Sequence, residues 1–159
     1  MKAIKILKDK TGEGGLIFII AIYIMIVIFA LVLEADRIYS TYYEVENALY
    51  GSLNCALEYA MMDEYRADKI IQFDAALAEN KFFEYAAQDI AAVVTGNSMT
   101  RYKDEKEILT VVIDDITTTN DSISITGIIR IPTMLSSVFP AATLELPINL
   151  KNTNIRIDE

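Results

Sequence analysis

The stretch GEGGLIFIIAIYIMIVIFALVLEADR, residues 12–37, decides how this chain is organised. Residues 16–33 within it are 18 consecutive residues without a charged or strongly polar side chain. A helix of this length would extend about 27 Å, close to the roughly 30 Å hydrocarbon thickness of a bilayer. It also lacks the polar face that a long helix of a soluble domain normally shows. We therefore predict a transmembrane helix from Leu16 to Leu33.

The charges on either side of the span predict its orientation. Before it lie four lysines and two acidic residues, a net charge of +2, whereas residues 34–159 hold ten basic and 21 acidic residues, a net charge of −11. Lysines beside a span stay on the cytoplasmic side. We therefore expect a cytoplasmic N-terminus and an acidic, extracytoplasmic C-terminal domain. Its charge argues against nucleic acid and anionic membrane surfaces as partners.

A secretory signal peptide is the competing interpretation of the same stretch. The apolar region of such a peptide is usually about 7–15 residues long and ends in a small-x-small cleavage site. Here the apolar run is longer and ends in Val-Leu-Glu-Ala-Asp, residues 32–36, which matches that site poorly. We therefore expect the span to be retained as an anchor.

The pattern after the span remains helical. Apolar residues recur at spacings of three or four as far as Ala60, and no proline occurs before Pro132. This pattern predicts one helix of about fifty residues, half in lipid and half projecting outward. The apolar stripe of its outer half consists of Ile38, Tyr42, Val45, Leu49, Leu53, Ala56 and Ala60. A second helix is predicted over residues 71–94, ended by the turn residues 95–98, and residues 101–107 are interpreted as a charged, solvated linker.

From Ile108 the apolar period changes to two, which predicts strands. Two runs, residues 108–116 and 122–132, flank a predicted turn at Asn120-Asp121, and Gly127 is a candidate bulge. The next run, residues 143–151, alternates through Pro147, which cannot donate a ladder hydrogen bond and so suits an edge strand. Residues 154–158 either continue that strand or form a short fourth one.

These elements predict an α+β fold, in which a small antiparallel sheet needs a helix to cover its apolar face. A long N-terminal helix, transmembrane and then amphipathic, comes first, followed by the second helix and the sheet. We divide the chain into a basic cytoplasmic leader with a glycine hinge (1–15), the transmembrane helix (16–33), an extracytoplasmic helical region (34–95) and an extracytoplasmic β region (96–159).

The sequence offers little for catalysis. Histidine is absent, which excludes histidine-dependent triads and most zinc sites. Asp114 and Asp115 are adjacent in a strand, so we expect them on opposite faces rather than converging as an acid–base pair. The single cysteine, Cys55, is interpreted as a buried helix residue, with an intermolecular disulfide as the alternative. We predict no enzyme, no catalytic residues, no cofactor, no metal site and no small-molecule substrate.

Tyrosines are concentrated in the outer half of the long helix, where six of the nine lie within residues 39–65. We interpret the tyrosines of residues 39–43 as a membrane-interface belt. The remaining ones are expected to pack the helix against the sheet.

The order of these parts resembles the TadE-like pseudopilins of the tight-adherence, type IVb pilus machinery. The resemblance rests on the basic leader, the hinge TGEGG, the uncut apolar stem and the charged exit at Glu34, Asp36 and Arg37. It extends to the helical segment 43–60 and to the C-terminal segment 123–158, with its strand, its apolar crossover containing proline, and its last alternating strand. It implies a pilin-like fold and a minor pilus or assembly component that serves adhesion.

The family resemblance also implies partners and a processing site. The implied partners are the lipid bilayer, other pilins or pseudopilins, and a prepilin peptidase that cuts on the cytoplasmic side. The implied cleavage residue is Gly12, with Gly15 as a second candidate. Such subunits usually carry a glutamate five residues after the cleaved glycine, where this chain has Ile17 or Ile20. The departure favours a minor, priming or membrane-resident component.

One apolar loop is the candidate contact surface of the exported domain. The segment TMLSSVFPAA, residues 133–142, is unusually apolar for a loop, and exposed apolar stretches mark interaction sites. Its candidate contact residues are Met134, Leu135, Val138 and Phe139. A lid over the sheet is the alternative role of this loop. The alternative for the whole chain is a single-pass anchored binding or accessory domain of another membrane complex.

Overall fold

A computed structural model of the chain describes residues 13–61, 73–119, 122–137, 139 and 142–153. It confirms the α+β prediction, since a long apolar helix and a second helix precede a five-stranded antiparallel sheet. The chain divides into two compact units, Met1–Tyr39 and Ser40–Glu159. We call the second unit the head.

Helix α1, Glu13–Ala60, is continuous over 48 residues, as the absence of proline predicts. In the first unit, every residue from Gly14 to Leu33 is exposed. This part of α1 is long and apolar enough to cross a membrane, and none of its most apolar window is buried among the residues that the structure describes. It therefore differs from the core helix of a soluble domain, which the domain itself would cover. Just after it, Arg37 Nη2 lies 2.8 Å from Glu34 Oε1, and the hydrogen bond to Glu34 raises the pKa of Arg37.

In the head, α1 buries the predicted apolar stripe. Five stripe residues are 0–2% exposed, namely Val45, Leu49, Leu53, Ala56 and Ala60. They belong to one core with the inward side chains of the sheet and of the second helix. Burying apolar side chains of this size stabilises a fold by about 1.5–3 kcal/mol for each large one, so this stripe fixes α1 to the head.

Helix α2 comprises Ala75–Asp89. The predicted helix, residues 71–94, was therefore too long at its C-terminal end. Residues 71 and 72 lie outside the described residues. Asp74 caps its start, because its side chain accepts a hydrogen bond from Leu77 N at 3.0 Å. The helix ends at the cap residue Ile90, and Ala91 then has a φ of 52°, which a helix cannot continue. Ala78, Phe82 and Ala86 form its buried face.

The two predicted connections after α2 are β-hairpins. Strand β1, Val93–Thr95, pairs with β2, Ser98–Lys103, so the turn residues 95–98 join two strands instead of ending a helix. The boundary drawn at residue 95 between helical and β regions was therefore slightly late. Residues 101–107 are not a linker either, because β2 turns through Asp104 and Glu105, with φ of 51° and 62°, into β3. The charges of residues 103–107 lie on an exposed hairpin end, and in sequence such a charged segment resembles a solvated loop.

The three long strands follow the predicted alternation. They are β3, Lys106–Thr118, β4, Ser122–Pro132, and β5, Thr143–Thr153, in the sheet order β1-β2-β3-β4-β5. Strand β5 is an edge strand, as Pro147 predicts. The predicted turn at Asn120 and Asp121 and the C-terminal residues 154–159 lie outside the described residues. A 3₁₀ helix, Met134–Ser137, lies between β4 and β5. The buried apolar side chains of the sheet are Met99, Leu109, Val111, Ile113, Ile123, Ile125, Ile129, Ile131, Ile148 and Leu150.

The bulge expected at Gly127 lies on the opposite strand. Ile113 pairs with Gly127 and Asp115 pairs with Thr126, so Asp114 is the extra residue in β3. The two backbones approach so closely here that a Cβ on Gly127 would lie 2.2 Å from the carbonyl oxygen of Val112. A glycine is therefore required at position 127 because the backbones of β3 and β4 approach closely there, and not because the chain turns.

Replacing Gly127 by alanine should force the two strands apart. We expect Gly127→Ala to lower the free energy of unfolding of the head by about 2–3 kcal/mol, the cost of overpacking against a backbone that cannot yield. Urea unfolding of the full chain in detergent, followed by far-UV circular dichroism, measures the change.

Gly51 supplies the matched control, since it lies inside α1 and a Cβ there meets no atom within 4 Å. Gly51→Ala should raise the free energy of unfolding by about 0.5–1 kcal/mol, because alanine favours the helix. Equal effects of the two substitutions would contradict the assignment of the close approach to Gly127.

Candidate functional site

The predicted membrane span is exposed along its whole length. Leu16 is 63% and Leu33 is 50% exposed, and the residues between them are exposed as well. Gly15 lies in the first turn of α1, and a Cβ there would meet nothing within 4 Å. Gly12 lies outside the described residues. Small residues at this end, including Gly14 and Gly15, leave room for another helix to approach closely.

The apolar loop between β4 and β5 is closed at its base and exposed at its tip. Thr133 and Ala142 hold the base, because Thr133 N and Oγ1 both donate to Ala142 O, at 3.0 and 2.7 Å. Exposed fractions are 59% for Met134, 59% for Leu135 and 63% for Phe139, whereas Val138 lies outside the described residues. These three side chains therefore do not form the lid over the sheet that was the alternative prediction.

Two contacts define the end of the head at which this loop lies. The Tyr42 hydroxyl donates to Pro147 O at 3.2 Å, and Asn152 Nδ2 donates to Asn54 Oδ1. Tyr42 and Asn54 are about 18 Å apart along α1, and Pro147 and Asn152 are about 17 Å apart along β5. Strand β5 therefore runs in the same direction as α1. The loop, which precedes β5, lies at the end of the head where α1 enters it at Ser40.

Arg101 joins both helices to the sheet, and sequence reasoning missed it. From β2, its Nε donates to Ile90 O at the end of α2, and its Nη2 donates to Glu44 Oε1 on α1 at 3.0 Å. The guanidinium therefore satisfies a C-terminal carbonyl of α2, where positive charge is favourable, and also pairs with a carboxylate. The only signal in the sequence was an arginine among charged residues, which a solvated loop explains equally well.

A second polar contact joins the two helices directly. Ser52 on α1 is fully buried, and its Oγ lies 2.7 Å from Asp89 Oδ2 at the end of α2. At the other end of α2, Asp74 N donates to Ala60 O at 3.0 Å. Contacts at both of its ends thus hold α2 beside α1.

The tyrosines are distributed differently from the prediction. Tyr50 and Tyr59, expected to pack against the sheet, are 44% and 56% exposed, and the Lys81 ammonium lies 4.7 Å from the centroid of the Tyr59 ring.

Tyr42, assigned to the interface belt, instead reaches the sheet edge. Burial raises the pKa of Tyr42 above its ordinary value of 10.0, and the charge of Glu46 raises it further. Tyr39 and Tyr43 are exposed, as a belt requires, and Tyr65 lies outside the described residues.

Cys55 is exposed, so its interpretation as a buried helix residue was wrong. It lies between Asn54, which contacts β5, and the buried Ala56. Successive helix residues are rotated by about 100°, so one position off the buried stripe is enough to turn a side chain to solvent.

Asp114 and Asp115 do not lie on opposite faces, because the bulge interrupts the alternation. Both are exposed and border one open depression of about 260 Å³, together with Glu79, Asn97 and Phe83. Neither the carboxylates here nor any others among the described residues form a group of three or more potential metal ligands. Among the residues that line the depression, none is a nucleophile with an adjacent base.

Fold and surface together define an α+β domain carried on a long N-terminal helix whose exposed half is apolar. Comparison with models of protein families found none that matches the chain. Curated proteins and solved structures gave no match either.

Removing the guanidinium of Arg101 should loosen both helices from the sheet. We expect Arg101→Met to lower the free energy of unfolding by about 1–3 kcal/mol, since a charge-assisted hydrogen bond is lost and the Ile90 carbonyl loses its partner. Denaturant unfolding of the full chain in detergent measures the change.

Arg130→Met is the matched control. Arg130 pairs with Glu145 across the sheet at 2.9 Å, but both side chains are largely exposed, at 43% and 57%. A pair of this kind contributes about 0–1 kcal/mol. If the two arginine substitutions had equal effects, Arg101 would be only another surface ion pair.

Proposed function

We propose that this protein is a membrane-anchored, pseudopilin-like subunit that takes part in assembly of a tight-adherence-type pilus. The apolar half of α1 stays in the bilayer as a stem, and the head is presented outside the membrane. The leader carries the positive charge and remains cytoplasmic. In this role the protein acts by packing and contact surfaces and has no catalytic function.

The proposal rests mainly on the two environments of α1. One helix carries 18 uncharged residues that no described part of the protein covers, followed by a stripe that is buried in the head. Exposed apolar surface of this extent needs lipid or other apolar helices around it. A stem that can exchange lipid for neighbouring stems is what assembly of a filament from the membrane requires.

Small residues at the start of the stem would set how closely stems pack. Gly14 and Gly15 are followed by Ala21, and small residues let helices approach closely in lipid, where packing drives association. The span contains no carboxylate that could pair with the amino terminus of a neighbour, since Ile17 and Ile20 stand at the corresponding positions. This supports a minor, priming or membrane-resident subunit over a regularly repeated one.

The two candidate cleavage residues are Gly12 and Gly15. Gly15 lies inside α1, so its peptide bond would have to leave the helix before a peptidase could act on it. Gly12 lies outside the described residues.

The second candidate function is an anchored binding or accessory domain of another membrane complex. The observation in its favour is the charge-free span, which would suit a permanent anchor equally well. In that case the head would act alone, and no filament proteins would accompany it.

Cys55 allows a direct test of topology, because it is exposed and is the only cysteine in the chain. We expect a membrane-impermeant maleimide to label it in spheroplasts without permeabilisation, since the head lies outside. Cys55→Ser should abolish the signal, and solubilised protein gives the full extent of labelling. Labelling only after permeabilisation would place the head in the cytoplasm and refute the proposed orientation.

Mechanical shearing of intact cells tests the role in a pilus. We expect a fraction of the protein to be released with surface filaments, because assembled subunits leave the bilayer together with the filament. A cytoplasmic-membrane protein unrelated to pili serves as the control for lysis. Retention of all the protein in the membrane, with no filament proteins copurifying, would favour the anchored accessory domain.

A further inference from the structure

We propose that the loop tip formed by Met134, Leu135 and Phe139 inserts into the interfacial region of the bilayer that anchors α1. The loop would hold the head against the membrane before assembly. The inference depends on retention of the stem in lipid, which is part of the proposed function. It assigns a lipid partner to a loop that the sequence suggested as a contact surface or as a lid over the sheet.

The position of the loop is the first observation that supports insertion. The loop lies at the end of the head where α1 enters, because β5 runs in the same direction as α1. Six residues separate Leu33 from Ser40, and the chain between them spans about 10 Å as a helix and at most about 25 Å when extended. The covalent connection alone therefore keeps this end of the head within about 25 Å of the end of the span.

The composition of the loop is the second observation that supports insertion. Residues 131–144 contain no charge, and this is the longest uncharged segment after the span. The ion pair between Arg130 and Glu145 marks where charge returns, at 2.9 Å across β4 and β5. Beyond that pair, three exposed apolar side chains project from a loop whose base is hydrogen-bonded. An apolar tip on a fixed base suits insertion at the boundary between headgroups and acyl chains.

The rest of this end of the head is compatible with a lipid surface. The β2–β3 turn lies at the same end, because β3 is parallel to β5, and its four charges, Lys103 to Lys106, cancel. Tyr102 next to it is 56% exposed, and tyrosine favours membrane interfaces. Since the chain after the span carries a net charge of −11, attachment must come from apolar contact, and a zwitterionic bilayer is the appropriate probe.

Single tryptophans test the insertion, because the chain contains none. Three variants of the full chain, Phe139→Trp, Tyr59→Trp and Tyr23→Trp, are reconstituted at low protein density into phosphatidylcholine vesicles with or without brominated acyl chains. Tyr59 is the matched control, since it is 56% exposed but lies at the far end of the head. Tyr23 lies within the span and reports on anchoring. Leu135→Trp gives a second probe of the loop.

We expect emission from Trp at 139 and at 135 to be quenched about twofold by bromines near the headgroup end of the acyl chains, a depth of about 5–10 Å. Emission from Trp at 59 should be unchanged, and emission from Trp at 23 should be quenched most by deep bromines. Quenching at 23 with none at 135 or 139 would overturn this inference alone. No quenching at 23 would overturn the anchoring itself. Loop emission that responds to protein density but not to bromine would assign the loop to a neighbouring subunit and refute insertion.

Discussion

The burial of the stripe from Val45 to Ala60 against the sheet is the interaction on which the rest of the structure depends. Those residues fix the outer half of α1 to the head, so a helix that begins in an apolar, uncovered segment ends as part of a protein core. The first half leaves 18 apolar residues exposed, which is unfavourable in water. One helix therefore has an uncovered apolar half and a half that the sheet and the second helix cover.

Polar contacts then fix the elements around that core. Arg101 ties β2 to both helices, Tyr42 and Asn54 tie α1 to the edge strand, and Ser52 ties α1 to the end of α2. The close approach at Gly127 allows the bulge in β3, which turns both Asp114 and Asp115 outward. The direction of β5 relative to α1 follows from these contacts. It brings the apolar loop and the entry of α1 to the same end of the head.

The elements with the clearest periodicity could be predicted from sequence. The long helix, the alternating strands with Ile123, Ile125, Ile129 and Ile131 inward, and the edge position of Pro147 are all confirmed. The two short hairpins could not be predicted in this way. The first is formed by Val93 and Val94, which fit the end of an apolar helix equally well, and the second turns through Asp104 and Glu105 without glycine. Three exposed residues of α1 were misassigned, because their exposure depends on small rotations around the helix: Tyr50, Cys55 and Tyr59. The role of Arg101 could not be predicted, because it depends on residues far away in sequence.

Retention of the apolar half of α1 in the native protein is the central claim, and the intact mass of the native protein, taken from both the membrane and the soluble fractions, tests it most directly. We expect a chain that begins at or before Leu16, and loss of residues 1–12 would in addition agree with cleavage after Gly12. A native chain that begins after Leu33 would contradict the claim, because the head would then have been released from a cleaved signal sequence.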